Sequence, residues 1–485
     1  GSTRRHWLVI EGKNFINGQW RTGDNAVPVM SPAQPRELVG SILLSTQDDV
    51  NAAVDAAEAA GMAWKKLGMV ARGNLLFQAA EALEPIVDEL AALAAREMGK
   101  PVAEARGEAL RAVAILRYYA GEGLRSVGDV IPSSNAQSLQ YTTRTPLGVV
   151  AVITPWNFPL AIPMWKVAPA LVYGNTVVLK PAEWSSLTAI RMMERIGALF
   201  PQGVLNLITG LGSITGEALI RHPKIRGISF TGSTTVGAHI AEVATANGVK
   251  YQAEMGGKNA VVVTADANLE LAVDSTVSGA MRSAGQKCTA TSRVIVLSEI
   301  HDLFLDRLRE RLSKIKQGHP LDPDTYLGPV VSASQYQKVS DYIALGDQEG
   351  HLVVGGVHQT REATDGYYIA PTVFDQVQPS ARIAQEEIFG PVVSVITTDS
   401  LEEAISVTNG IRYGLSASIF TQNLHTALQF VEEVEVGLVR VNEETAGVEL
   451  QAPFGGVKAS SSHSREQGRS ALEFYTDIKT VSIRP

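Results

Sequence analysis

The chain has 485 residues, 45% hydrophobic and 19% charged, with a formal net charge of −8. That length gives room for two or three domains with large cores. An acidic balance without long Lys/Arg runs offers no footing for nucleic acid or an anionic membrane surface, which leaves small-molecule chemistry as the expectation.

Gly1-Ser2 reads as a cloning remnant. Arg4 and Arg5 precede only a short apolar run before Glu11, so no signal peptide is expected and the cytoplasm is the natural compartment. The first third reads as helical. Thr46 and Asp49 form a capping-box start for Val50, Val54, Ala57 and Trp64 at helical spacing. A second helix over 71–98 stops at Gly99-Lys100-Pro101, with Pro85 kinking or dividing it and Pro101 opening a third.

Residues 127–146 and the tail 476–483 are β-like and polar-alternating, and are expected to pair in a small projecting sheet. The stretch 147–179 is almost free of charge, but Pro155, Pro159, Pro163, Pro169 and Lys166 interrupt it. Short buried elements are expected there, not a membrane span. From Gly148 the apolar runs 149–153, 176–179, 204–207, 225–230 and 260–263 alternate with helix-length segments, the signature of a parallel sheet covered on both faces. A second alternating region runs from about Arg293 to Asn442, with 437–442 among its last strands.

Several strand ends carry reactive or ligand-binding side chains. In Thr154-Pro155-Trp156-Asn157-Phe158-Pro159 an amide is bracketed by prolines, which suits an oxyanion donor or a turn asparagine capping the next helix. Lys180 and Glu183 fall where a doubly wound sheet binds ligands and suit ribose hydroxyls, although a solvated ion pair is the commoner fate of such residues. Gly210-x-Gly212-x-x-x-Gly216 is a weak dinucleotide fingerprint. Phe230-Thr231-Gly232-Ser233, at a helix start, is a better phosphate cradle. Glu254 follows a strand-like run and precedes Gly256-Gly257, which allow close backbone approach beside a ligand cavity.

Cys288 is the single cysteine, in the polar segment 285–293. It has no disulfide partner, and no Cys/His cluster suggests a metal, so none is expected. Position alone leaves nucleophile and buried core filler equally open.

With Cys288, Glu254, Asn157, Lys180 and 230–233 in this order, together with Glu386-Glu387-Ile388-Phe389-Gly390-Pro391 and Pro453-Phe454-Gly455-Gly456-Val457-Lys458, nearly the whole chain resembles the aldehyde dehydrogenase superfamily. Around Cys288 it is most similar to the α-ketoglutaric semialdehyde (2,5-dioxopentanoate) dehydrogenases. The resemblance implies an α/β fold. A Rossmann-like NAD(P)-binding domain would comprise 1–126 and 147–256, a catalytic domain 257–458, and an oligomerisation sheet 127–146 and 470–485, in a homodimer or homotetramer.

The implied reaction takes an aldehyde to a carboxylic acid. Cys288 attacks, Asn157 and the Cys288 N–H hold the oxyanion, hydride passes to NAD or NADP, and Glu254 activates water against the thioester. By the same analogy Lys180 and Glu183 hold the adenosine ribose, Ser233 a phosphate and Glu387 the nicotinamide ribose. Trp156 and Phe389 line the cleft, with Ile153, Pro155, Gly212, Phe230 and Gly232 in the cofactor set. Glu183 favours NAD, and Lys180 leaves NADP open. Lys166 and Glu466 match proton-relay positions, with a structural ion pair as the alternative.

Phe158 and Trp165 suggest an aromatic entrance wall, with Lys287 and Thr289 beside the nucleophile. Arg282 is the candidate cation for a distal substrate carboxylate, or else an arginine turned out into a surface salt bridge. Trp165 stands where succinic semialdehyde enzymes often carry arginine, which argues against that substrate. Glu254 argues against a CoA-acylating relative, and the retained nucleophile and cofactor residues argue against a non-catalytic structural one. The run Ala459 to Gly468 lacks the glycines many relatives have, so this loop is expected to differ, with His463 exposed.

Overall fold

The computed structural model describes residues 7–356 and 366–485; the reading of Gly1 to His6 therefore lies outside the described residues. A seven-stranded sheet runs in the spatial order Lys250–Glu254, Ile225–Thr231, Val149–Thr154, Thr176–Pro181, Leu205–Leu207, Asn14–Ile16, Gln19–Arg21. The first five strands are parallel and the last two antiparallel. The apolar runs read from the sequence become the central strands because helices cover both faces, so no alternate residue has to be polar. In chain order the parallel strands lie 5-4-1-2-3, which puts a topological switch between 149–154 and 225–231.

The helical reading of the first third holds only from Gln47. Before it lie Asn14–Ile16, Gln19–Arg21 and the antiparallel pair Ala26–Met30 and Leu38–Leu43. Three-residue edge strands are too short to show a period. From Gln47 the punctuation is as expected. Asp49 accepts the Thr46 N–H at 2.9 Å in a capping box, and a tight turn at Glu84–Ile86 divides Met69–Leu83 from Val87–Met98. Pro101 caps Val102–Glu122.

The second seven-stranded sheet runs His351–Val354, Thr372–Asp375, Val392–Thr398, Thr291–Leu297, Asn259–Val263, Ser416–Phe420, Leu438–Val441, parallel except at its first edge. The run 260–263 therefore belongs here and not with the runs before it, and this region begins at Asn259, ahead of Arg293. A five-residue apolar run carries no mark of the sheet it joins.

Thr476–Ile483 pairs along its length with Leu139–Pro146, which Val130–Ile131 flanks on its other edge. The stretch 147–179 folds as strand, helix Ala161–Val172 and strand, all buried. Among the described residues no helix is long and apolar enough to cross a membrane.

Glu97 ties two helices together. It lies buried on the 87–98 helix and accepts the Leu187 N–H at 2.7 Å, the Thr188 N–H at 3.0 Å and the Thr188 hydroxyl at 2.6 Å, serving the first turn of Ser186–Ile196. Burial raises its pKa to about 7 against the pull of those donors. Glu97→Ala strands three buried donors and is expected to cost about 3 kcal/mol, while Glu97→Gln, which keeps an acceptor, costs less. Urea unfolding midpoints check both, and equal midpoints for Glu97→Ala and the parent would refute the bracing role.

Candidate active site

At the switch point the carboxyl ends of the first sheet open into a cleft of about 520 Å³. Ile153, Pro155, Trp156, Lys180, Glu183, Gly212, Phe230, Gly232 and Ser233 all line it, as the sequence reading grouped them. Ser233 caps helix Thr234–Ala246 by accepting the Val236 N–H at 3.3 Å, leaving that helix's first turn facing the cleft. A Cβ on Gly232 would sit 2.6 Å from the Phe230 ring, so only glycine fits there. Lys180 is no surface ion pair: its side chain is buried, and burial lowers it to about 8 against the pull of Glu183. A cleft of this size, with a helix start, a cation and a carboxylate, fits a dinucleotide. The sequence reading missed Trp184, whose ring meets Trp156 edge-on at 6.0 Å, and the His239–Glu217 pair at 2.8 Å.

Glu387 and Phe389 lie one step away, in a smaller recess shared with Lys287 and Gly257. Phe389 meets Trp156 edge-on at 5.5 Å, and Glu387 accepts the Gly257 N–H at 2.8 Å. The glycine pair has a steric reason. A Cβ on Gly256 would stand 2.7 Å from the Glu387 carboxylate, and one on Gly257 2.7 Å from the Cys288 carbonyl oxygen.

Cys288 is partly exposed and packs beside Val448 against the apolar cluster of Leu415, Leu438 and Phe454. Its loop is strained. Ser283 and Ala284 both take a left-handed φ of 54°, and Glu104 accepts the Ser283 N–H at 3.3 Å and hydroxyl at 3.0 Å. Asn157 is buried and donates Nδ2 to the Gln286 carbonyl at 3.0 Å, two residues before the cysteine. It does not cap the following helix, whose first N–H groups at Leu160 and Ala161 go to Glu108 at 2.7 and 2.9 Å. One amide hydrogen of Asn157 remains beyond that bond, in keeping with an oxyanion donor.

Glu254 ends the 250–254 strand, fully buried, with Oε1 unpaired and Oε2 accepting the Ser461 hydroxyl. Burial first, then the charge of Glu466, raise its carboxyl well above the usual range. Ser461 is a partner the sequence reading missed, in the glycine-poor loop it had marked as divergent. There the serines replace backbone freedom with bonds: Ser462 Oγ accepts the Ala253 N–H at 2.9 Å and Ser464 Oγ the Gln252 amide at 2.9 Å. His463 is exposed, as expected. Lys166 and Glu466 form a buried ion pair, with Lys166 also donating to Ser229 at 2.8 Å.

The expected substrate residues are dispersed. Trp165 is buried, donates Nε1 to Glu466 at 2.9 Å and packs on Phe454 of the apolar cluster against Cys288. Phe158 carries the Lys100 ammonium over its ring at 4.0 Å. Thr289 is buried, and its carbonyl accepts the Thr445 hydroxyl at 2.8 Å. Burial lowers Lys287 against the pull of Glu104. Arg282 lies over Tyr326 at 4.7 Å and donates to Ser278 at 3.1 Å, committed neither to a surface salt bridge nor to an open pocket. Among the described residues no His/Cys/Asp/Glu group could hold a metal.

The chain matches the aldehyde dehydrogenase family over residues 20–481. It is 52% identical to an α-ketoglutaric semialdehyde dehydrogenase of Bacillus subtilis, with 97% of this chain and 98% of that one covered. It is 40% identical to a 2,5-dioxopentanoate dehydrogenase of Saccharolobus solfataricus, covering 98% and 97%. A crystal structure of betaine aldehyde dehydrogenase from Staphylococcus aureus in complex with NAD+ superimposes with a TM-score of 0.94 at 33% identity, covering 98% and 95%.

Burial, and then the charges of Glu387, Glu254 and Glu466, push the Cys288 thiol up. Alkylation by iodoacetamide, read by mass spectrometry on the chain's one thiol, is therefore expected to be slow at neutral pH and to accelerate through the alkaline range. Glu387→Gln removes one of the opposing charges and should speed neutral-pH alkylation several-fold; an unchanged rate would remove Glu387 from the thiol's electrostatics.

Proposed function

Because this chain belongs to the aldehyde dehydrogenase family, whose reaction is NAD-dependent oxidation of an aldehyde, we propose that its substrate is α-ketoglutaric semialdehyde and its product 2-oxoglutarate. What carries this reading is the 52% identity along 97% of the chain with a protein named for that substrate. The similarity to the dioxopentanoate enzyme, another name for the same chemistry, supports it.

In this reading Cys288 is the nucleophile, attacking the aldehyde carbon once its proton has left. The oxyanion is held by the free amide hydrogen of Asn157 and the Cys288 N–H, donors fixed before the charge develops. The chemistry NAD supplies when bound is acceptance of hydride, which leaves a thioester on Cys288. Lys180 and Glu183 would hold its adenosine ribose, Ser233 a phosphate and Glu387 the nicotinamide ribose. Glu254, deprotonated, takes a proton from the water that hydrolyses the thioester. Lys166 and Glu466 carry that proton onward or hold the carboxylate's surroundings fixed.

We read 1–126 with 147–256 as the cofactor-binding unit and 257–458 as the catalytic unit. The sheet of 127–146 and 470–485 is read as an oligomerisation surface in a homodimer or homotetramer. Supporting the last, Val130, Leu139, Ile478 and Ile483 stand exposed on that sheet. A cytoplasmic location suits the charge balance and the single thiol.

The experiment is NADH absorbance with α-ketoglutaric semialdehyde, succinic semialdehyde and an uncharged aldehyde, with and without CoA. The highest kcat/KM is expected for the first, with no dependence on CoA; preference for an uncharged aldehyde would sink the substrate assignment. Glu254→Gln is expected to lower kcat by about 10²-fold or more while a stoichiometric burst of NADH survives. Since burial raises Glu254, its base form grows with pH, so the parent's deacylation rate should climb with pH and that slope should vanish in Glu254→Gln. Loss of the burst together with turnover would move Glu254 to an earlier step.

A further inference from the structure

A substrate with a distal carboxylate calls for a cation near Cys288, and Arg282 stacks on Tyr326 and gives its Nε hydrogen to Ser278. A different arginine bonds a residue of the apolar cluster that holds Cys288. Arg111 lies on the Val102–Glu122 helix, one turn after Glu108, whose carboxylate accepts the N–H groups of Leu160 and Ala161 just beyond Asn157. Residues three apart lie on neighbouring parts of one helix face, which puts Arg111 on the side of the helix that carries Glu108. Its Nη2 donates to the Val448 carbonyl and, at 3.0 Å, to Gln467 Oε1. Val448 packs in the same apolar cluster as Cys288.

Two donors at this point are left over. Arg111 Nε is buried without an acceptor, and so is Gln467 Nε2. The glutamine cannot be turned to relieve this, because its oxygen already accepts from Arg111 and a flip would set two donor groups against each other. Gln467 is itself buried and held at a φ of 60°, strained for a residue with a side chain. The nearby Glu108 is committed to Lys100 and the helix start, and among the described residues no carboxylate pairs with Arg111. Buried donors without acceptors are costly, and a planar group with two acceptor oxygens answers both.

We propose that Arg111 and Gln467 bind the distal carboxylate of the aldehyde substrate, making them the specificity-determining pair of this site. The assignment rests on the carboxylated-aldehyde reading above. It explains why a strained glutamine follows Glu466: the backbone turn that buries Glu466 also aims the next side chain at Arg111.

The test uses 5-oxopentanoate and pentanal, equal in carbon count and differing in the terminal carboxylate. The readout is the ratio of their kcat/KM values, which a merely structural brace would leave alone. Arg111→Met is expected to lower that ratio about 10- to 100-fold, chiefly through KM for the acid, as expected from loss of charge-assisted bonds. Arg111→Lys should recover part of it, and Gln467→Leu should lower it several-fold. If Arg111→Met does not fold, Gln467→Leu carries the same test. An unchanged ratio in the folded variants overturns the proposal, as does a collapse of the ratio in Arg282→Ala with Arg111→Met unaffected. A parent enzyme that oxidises both aldehydes equally defeats the carboxylated-substrate reading itself, an outcome visible before any variant is made.

Discussion

A carboxylate buried as deeply as Glu466, 3% exposed, is costly unless donors meet it. Lys166, at 0% exposure, supplies the countercharge, and Trp165 supplies an indole N–H at 2.9 Å. Ser229 stands beside both. These groups come from the 161–172 helix, the 225–231 strand and the loop before the C-terminal strand, so one charge pins three distant parts of the chain. Removing one partner would leave the other charged and unpaired, which makes the pair a strong constraint on geometry whatever its net worth to stability. Phe454 exchanges both backbone hydrogen bonds with Glu466 and thereby fixes the apolar wall against Cys288.

The same burial sets the electrostatics of the thiol. Glu254, Glu387 and Glu466 crowd Cys288 in a region with little water, and each opposes the thiolate. The cations are pushed the other way: Lys258, fully buried with no acceptor for Nζ, is brought down to about 7. Burial thus disfavours the ionised form of both the Cys288 thiol and the Glu254 carboxyl, and the nucleophile and the base are held back together. The loop at 460–464 shows how such a site is fastened without glycine. Ser461 bonds both the Glu254 carboxylate and the Gly456 N–H, so the side chain that tunes the base also fixes the turn.

Much of this was legible in the sequence. Apolar runs buried on both faces differ in pattern from half-exposed strands, so 149–153, 176–179 and 225–230 stood out. Capping and proline punctuation marked the helices from Thr46 to Pro101 because those signals are local. Around the cofactor cleft Lys180, Glu183 and 230–233 were legible from strand ends and a helix start, while the rest of the set came from the family resemblance. Local signals failed where the partner lay elsewhere. The three-residue strand at 14–16 joins the sheet at the edge of 205–207 and carries 19–21 beside it, and the run 260–263 gave no sign of which sheet it would join.

The sequence by itself singled out Cys288, Glu254 and Asn157 as candidate reactive side chains, and the resemblance carried by the motifs around them implied their roles. Only the tertiary structure decided what surrounds them. Only the tertiary contacts show that Glu466 takes the Trp165 N–H and that Arg282 lies over the Tyr326 ring. Arg111, one charge among many on an ordinary helix, gains its place only when a residue 356 positions later in the chain leaves its amide beside it without an acceptor. The physical reason is the same in each case: a buried polar group is defined by its partners, and partners separated by hundreds of residues leave no periodic trace in the chain.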